Sequence, residues 1–179
     1  MKTFPLGGIH PPENKLTADI PIEYLPVPDI VTIPISQHIG APASPIVNKG
    51  DYVKTGQILA EGKGFVSANI HSSVSGKVNR IDTVVDTSGY RQPAVFINVE
   101  GDEWVESIDR NSELITEIKL SAEEITKRCL DSGIVGLGGA TFPSHVKLTV
   151  PSGKKCNILI INGVECEPFL TSDHRLMLE

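Results

Sequence analysis

The residues best suited to chemistry lie in two stretches near the C-terminal end. The first is Gly133-Ile134-Val135-Gly136-Leu137-Gly138-Gly139-Ala140-Thr141-Phe142-Pro143-Ser144-His145-Val146-Lys147, and the second is Cys156-Asn157-Ile158-Leu159-Ile160-Ile161-Asn162-Gly163-Val164-Glu165-Cys166-Glu167-Pro168. From Gly136 to Ala140 three of the five residues are glycines without a Cβ and a fourth is alanine. Backbone N–H groups can therefore converge on an anion, or a flat ring can lie against the chain. Lys147 follows where an ammonium can reach a phosphate or a ring carbonyl. The second stretch ends an apolar run with Asn162, Glu165 and Glu167. In extended structure Glu165 and Glu167 point to one side and Cys166 to the other. Neighbouring carboxylates repel, so they ask for hydroxyls, amides or a cation between them. A plain tight turn and a solvated turn before Pro168 are the bland readings. Together the stretches read as a cofactor site.

The elements that must position these residues can be read locally. Ser121 with Glu124 three residues on forms a capping-box pattern, and Ile125, Cys129 and Leu130 share one face of the helix it starts. Gly133 closes that helix at the C′ position, and Cys129 is expected to be a small buried hydrophobe. Pro143 sits where a second helix begins, over Ser144 to Leu148, with its N-terminal dipole aimed back at the bound group. Asn157-Ile158-Leu159-Ile160-Ile161 predicts a strand covered on both faces in a parallel sheet, with ligands at its carboxyl end. A helix precedes the glycines, so this is not the usual dinucleotide fingerprint.

Upstream, residues 1–34 hold a large share of the prolines. They predict an extended arm, docked through Ile9, Leu16, Ile20, Ile22, Tyr24, Leu25 and Val27, with a flexible linker as the alternative. From about Asp29 to Glu100 the reading is all β, with strands at Ile30–Ile33, Ile46–Val47, Val66–Ile70, Lys77–Ile81 and Ala94–Val99. Turn chemistry separates them, Ser88-Gly89 included. Lys49-Gly50-Asp51-Tyr52-Val53-Lys54-Thr55-Gly56-Gln57-Ile58-Leu59-Ala60, then Ile70-His71-Ser72-Ser73-Val74-Ser75-Gly76-Lys77-Val78, resembles the two halves of a biotinyl/lipoyl-like barrel-sandwich hybrid. In that family a hairpin between the halves carries a modified lysine. Here the carrier position falls at or beside Phe65. Lys63 lies two residues away without acidic or methionine neighbours, which favours a structural role. The stretch from Glu100 to Leu120 reads as a polar connection in which Trp104 is a packing anchor.

Composition limits the function classes. A net charge of -6 without a long basic run argues against nucleic acid as a partner. Three cysteines with no close spacing argue against a disulfide framework, a zinc site or an iron-sulfur cluster held within this chain, and fit a reducing setting. The N-terminus lacks the apolar core of a signal peptide, and no apolar run reaches membrane-spanning length.

On Gly136 to Lys147, Asn162 to Pro168 and Asp173-His174-Arg175-Leu176-Met177, the sequence is similar to the flavin and NADH-binding subunit of respiratory complex I. It resembles still more closely the RnfC family, the C subunits of the Rnf electron transport complexes. The N-terminal Phe4-Pro5-Leu6-Gly7-Gly8-Ile9-His10-Pro11-Pro12-Glu13-Asn14-Lys15 and the barrel-sandwich segment share that likeness. Leu137, Thr141, His145 and Val164 depart from the complex I pattern, and most of them agree with the RnfC pattern. The resemblance implies a mixed α+β fold: a proline-rich arm over 1–28, a non-carrier barrel-sandwich hybrid over 29–105, and the start of an α/β FMN/NADH-binding domain over 106–179. It implies an electron-transfer oxidoreductase subunit of the NADH:ferredoxin type, coupled to ion movement. The location implied is peripheral, on the cytoplasmic face of the inner membrane, with the other Rnf subunits as partners and ferredoxin reached through them. By position Gly136, Gly138, Gly139, Ala140 and Lys147 would cradle FMN. Asn162 would contact it from the strand end, and Glu165 and Glu167 would lie near the flavin and nicotinamide. The protein would position the rings for hydride transfer from NADH and for single-electron exit to [4Fe-4S] clusters in a C-terminal part absent from this sequence. No residue is assigned a catalytic or metal-ligating role.

The chain stops at Leu178-Glu179, inside a helix that begins after Pro168, with a single strong α/β strand. This reads as a fragment expected to bind FMN weakly or not at all. A lipoyl- or biotinyl-like carrier and a redox-inactive structural adaptor are the rival classes.

Overall fold

The computed structural model describes residues 11–86, 89–111, 113 and 115–179. The motif from Phe4 to His10, Ile9 within it, and Ser88 of the expected turn lie outside the described residues. The chain divides into two compact units, Val27–Lys155 and the pairing of residues 11–26 with Cys156–Glu179.

In the first unit the strands are β1 (Ile30–Pro34), β2 (Ser44–Pro45), β3 (Tyr52–Val53), β4 (Ile58–Glu61), β5 (Ile70–His71), β6 (Gly76–Val85) and β7 (Arg91–Val99). One sheet runs β1-β7-β6-β3 and the other β2-β4-β5, all pairs antiparallel. Two small sheets face each other over one core, the barrel-sandwich arrangement. The alternation along β6 and β7 shows why. Val78, Val95 and Ile97 turn inward and meet Val53 and Leu59, all almost fully buried. Each such side chain contributes about 1.5–3 kcal/mol through the apolar area it hides. Phe96 faces outward, where the Arg80 guanidinium lies 3.7 Å over its ring. A bulge between Val78 and Arg80 leaves Asn79 out of register, and its side chain donates to Asn98 Oδ1 at 3.0 Å.

Two expected strands are shifted. The pairing forecast for Ile46–Val47 is regular only at Ser44–Pro45, although Ile46 N–H still donates to Leu59 C=O at 2.9 Å. The Val66–Ile70 run pairs only from Ile70 onward. Its other polar groups are taken by side chains and by the neighbouring loop, which compete with a ladder. Ser67 Oγ bonds Ala41 C=O and Lys63 N–H, Ala68 N–H bonds His38 Nε2, and Asn69 Oδ1 accepts from Gly62 N–H. The connection from Glu100 to Leu120 has no helix or strand among its described residues. Within it Trp104 forms a lone bridge to Thr55, and Arg110 stacks on its ring.

Two helices complete this unit, α1 (Ala122–Asp131) and α2 (Ser144–Leu148). The other unit holds α3 (Ser172–Leu178). The strand expected at 157–161 is absent. Ile158, Leu159, Ile160 and Ile161 are 74–83% exposed, and no described residue pairs with them. A parallel strand draws its hydrogen bonds from neighbours, and without them an apolar run has no ladder to join. The arm also differs from expectation, since Leu16, Tyr24 and Leu25 are exposed. It is tied down by polar contacts instead.

Candidate functional site

The glycine stretch is framed by its two flanking helices. At the start of α1, Ser121 Oγ accepts from Glu124 N–H at 3.2 Å and the Glu124 carboxylate accepts from Ser121 N–H at 2.7 Å, a complete capping box. These bonds, the backbone N–H of Ser121 first, hold the Glu124 carboxyl below its usual range. At the other end Gly133 N–H donates to Leu130 C=O and Ile134 N–H to Cys129 C=O, at 3.1 and 3.0 Å. Gly133 has φ +64, so this is a Schellman ending. A side chain at Gly133 would also run into Asn69 C=O at 2.2 Å. Cys129 is only half-buried, because its face of α1 borders an open apolar groove with Ile115, Ile118, Leu120, Ile125 and Ile134.

From Ile134 the chain runs out and back as a narrow loop. Val135 bridges Pro143, Gly136 N–H donates to Phe142 C=O at 3.0 Å, and Ser144 N–H donates to Ile134 C=O at 2.9 Å. Leu137, Gly138, Gly139 and Ala140 form the exposed tip. Around Gly138 and Gly139 an added Cβ would meet nothing within 4 Å, so the tip is open. At Gly136 an added Cβ would lie 2.5 Å from Lys147 Nζ. The lysine ammonium rests against the bare Cα, in space that a side chain at this position would contest. The structure thus brings Gly136 and Lys147 together beside an uncrowded glycine tip. The expected helix dipole contributes less than foreseen. α2 has five residues, its first N–H is already bonded to Ile134, and Pro143 supplies no side-chain cap. Lys147 is the positive group of this loop.

Side-chain geometry in α2 follows from its period. Residues two apart face opposite ways, so Lys147 is exposed while His145 is buried. His145 Nε2 donates to Phe65 C=O at 2.9 Å, and the two rings meet edge to face with centroids 6.2 Å apart. Sequence reasoning missed this contact, although the two-residue offset from Lys147 was its signal. The hairpin carrying Phe65 is also where a carrier lysine would stand. Lys63 is exposed there, and its backbone is fixed by the bond to Ser67.

Asn162, Glu165 and Glu167 belong to the other unit. Asn162 Oδ1 accepts from Val164 N–H at 3.1 Å, closing an Asx-type turn. Glu165 has φ +50, so the alternation expected of extended backbone fails at that residue. Its carboxylate accepts from His174 N–H at 3.1 Å and caps α3, whose N-cap Thr171 makes no side-chain cap. Among the described residues no Lys, Arg or His side chain is ion-paired with either carboxylate. Lys15 Nζ instead donates to the backbone carbonyls of Glu165, Glu167 and Leu170 at 2.6, 2.8 and 2.7 Å. Phe169 N–H donates to Glu13 C=O at 2.8 Å, and Thr17 and Thr171 share a hydroxyl contact. These bonds anchor the arm. A cleft of about 270 Å³ lined by Lys15, Glu165, Thr171 and His174 opens within this unit.

No group of three or more His, Cys, Asp or Glu side chains among the described residues is arranged to hold a metal ion. No helix among them is long and apolar enough to cross a membrane. Residues 2–102 match the family model of the RnfC barrel sandwich hybrid domain, and residues 129–179 match the Nuo51 FMN-binding domain. The chain is 51% identical, over its whole length, to the C subunit of the proton-translocating ferredoxin:NAD(+) oxidoreductase complex of Clostridium ljungdahlii, of which it covers 39%. It is 48% identical over 96% of its length to the Na(+)-translocating counterpart of Acetobacterium woodii, covering 38% of that protein. To the C subunit of the ion-translocating oxidoreductase complex of Rhodobacter capsulatus it is 44% identical over 97% of its length, covering 33%. The chain therefore spans well under half the length of these curated relatives. With the two-sheet barrel observed over the matched residues, the chain belongs to the RnfC barrel sandwich hybrid domain family.

Proposed function

We propose that this chain is the FMN-binding portion of a peripheral subunit in a membrane ion-translocating NADH:ferredoxin oxidoreductase, with the other subunits of that complex as its partners. The observation that carries the reading is the Lys147 ammonium resting against Gly136 beside an open glycine tip, in a stretch that matches an FMN-binding domain. A loop rich in glycine fits a flat ring or a phosphate, and the adjoining ammonium fits the anionic part of FMN. When bound, FMN supplies the exchange between two-electron and one-electron carriers.

In this reading residues 1–28 form the arm, 29–105 the barrel and 106–179 the beginning of the FMN/NADH domain. Gly136, Gly138, Gly139 and Ala140 leave room for the cofactor, and Lys147 holds its negative charge. Asn162, Glu165 and Glu167 contribute further contacts to FMN and NADH. Electrons leave toward [4Fe-4S] clusters outside this chain, and the subunit sits on the cytoplasmic face. Fluorescence titration of the full-length protein with FMN tests the assignment. Lys147→Met should weaken FMN binding about tenfold or more, the order of one charge-assisted contact. Unchanged affinity would remove Lys147 from the site.

A further inference from the structure

We infer that His145 is a positioning residue for the FMN loop, seated on the barrel hairpin that in carrier domains would bear the modified lysine. The inference rests on the FMN reading above. Its ground is the way α2 is fixed from outside. A five-residue helix without a side-chain cap does not persist by its own hydrogen bonds, so something outside must fix it. Ser144 N–H on Ile134 C=O, and Ile39 N–H on Thr141 C=O just before the helix, hold its start, and His145 supplies the side-chain hydrogen bond that seats it on the barrel hairpin. His145 is 5% exposed, its Nε2 donates to Phe65 C=O at 2.9 Å, and its ring stands against the Phe65 ring. A carbonyl only accepts, so the proton is on Nε2. Nδ1 is buried with no partner among the described residues, so the imidazole's one polar bond is the one that docks the helix.

The opposite face of the same helix turn carries Lys147, against Gly136. The hairpin holds the other flank of the loop as well. Asn69 Nδ2 donates to Asp131 C=O at the end of α1, at 3.3 Å, and Gly133 packs on Asn69 C=O. Both ends of the glycine loop are thus tied to residues 65–69. The hairpin whose lysine has no carrier context has become the seat of the loop.

The test uses the full-length protein and FMN as the probe. Glutamine places an amide N–H near the reach of Nε2, whereas asparagine reaches only as far as Nδ1. His145→Asn should weaken FMN binding several-fold, up to about tenfold, while His145→Gln should stay within about twofold of the parent. With Lys147 replaced by Met, His145→Asn should add little further loss, because it acts through the lysine. His145→Asn with unchanged affinity, or with the same loss whether or not Lys147 is present, overturns the inference and leaves the FMN reading standing. Lys147→Met without effect sinks that reading, and the inference with it. The imidazole ¹⁵N spectrum of the parent protein is the check that needs no variant. Nε2 should be protonated and Nδ1 bare, and the reverse tautomer overturns the seat.

Discussion

At the residue scale, stability and the candidate site draw on different side chains. Leu59 and Val95 are almost fully buried in the barrel and touch no part of the glycine loop's chemistry. Leu59→Ala should destabilise the fold by about 2–5 kcal/mol in urea unfolding, and a loss below about 1 kcal/mol would contradict that packing. His71 adds a pH dependence. Burial pushes its imidazole below the usual value, against a smaller opposing hydrogen bond to the Asp131 backbone. The folded state therefore binds this proton less readily than the unfolded chain. Stability should be full above the unfolded value and fall as pH drops from there toward the folded one. Melting temperatures followed from neutral to mildly acidic pH should show that decline, and His71→Gln should flatten it. The glycines and Lys147 could be read from residue type alone. The contact of Lys15 with three carbonyls could not, because it links positions about 150 residues apart through backbone atoms that no side-chain pattern encodes.

At the element scale, local signals were read correctly where the chain answers to itself. The Ser121 and Glu124 cap, the Gly133 ending and the start of α2 at Pro143 all depend on neighbours within a turn. Ser121→Ala should cost about 1 kcal/mol through the lost cap, seen as a lower melting temperature. Strands were read less well, because pairing depends on remote partners. Val66 to Asn69 had the right residue types for a strand but gave their polar groups to Ala41, His38 and Gly62. Those same bonds fix the hairpin on which the exposed Lys63 stands, the residue expected to play a structural and not a carrier role. Lys63→Arg should leave intact mass free of any acyl adduct before and after the change, and NADH oxidation by the whole complex unaltered. An added acyl group on Lys63 in the parent protein would restore the carrier alternative.

At the scale of the whole molecule, the barrel was legible through its order of turns and short strands, which matches the two-sheet topology. The apolar run 158–161 was not, since its side chains match a covered strand while the described residues give it neither neighbour nor cover. Its four consecutive apolar side chains, with Asn162, Glu165 and Glu167 beyond them, form the second compact unit with the arm. The proposed role of the glycine loop with Lys147 is to take FMN for electron exchange with NADH. Its most direct measurement is the visible spectrum of the purified full-length protein before and after NADH under anaerobic conditions. About one FMN per chain is expected, bleached by NADH, with flavin content sharply reduced by Lys147→Met. A full-length protein that carries no flavin, or whose flavin and bleaching are indifferent to Lys147, would contradict it.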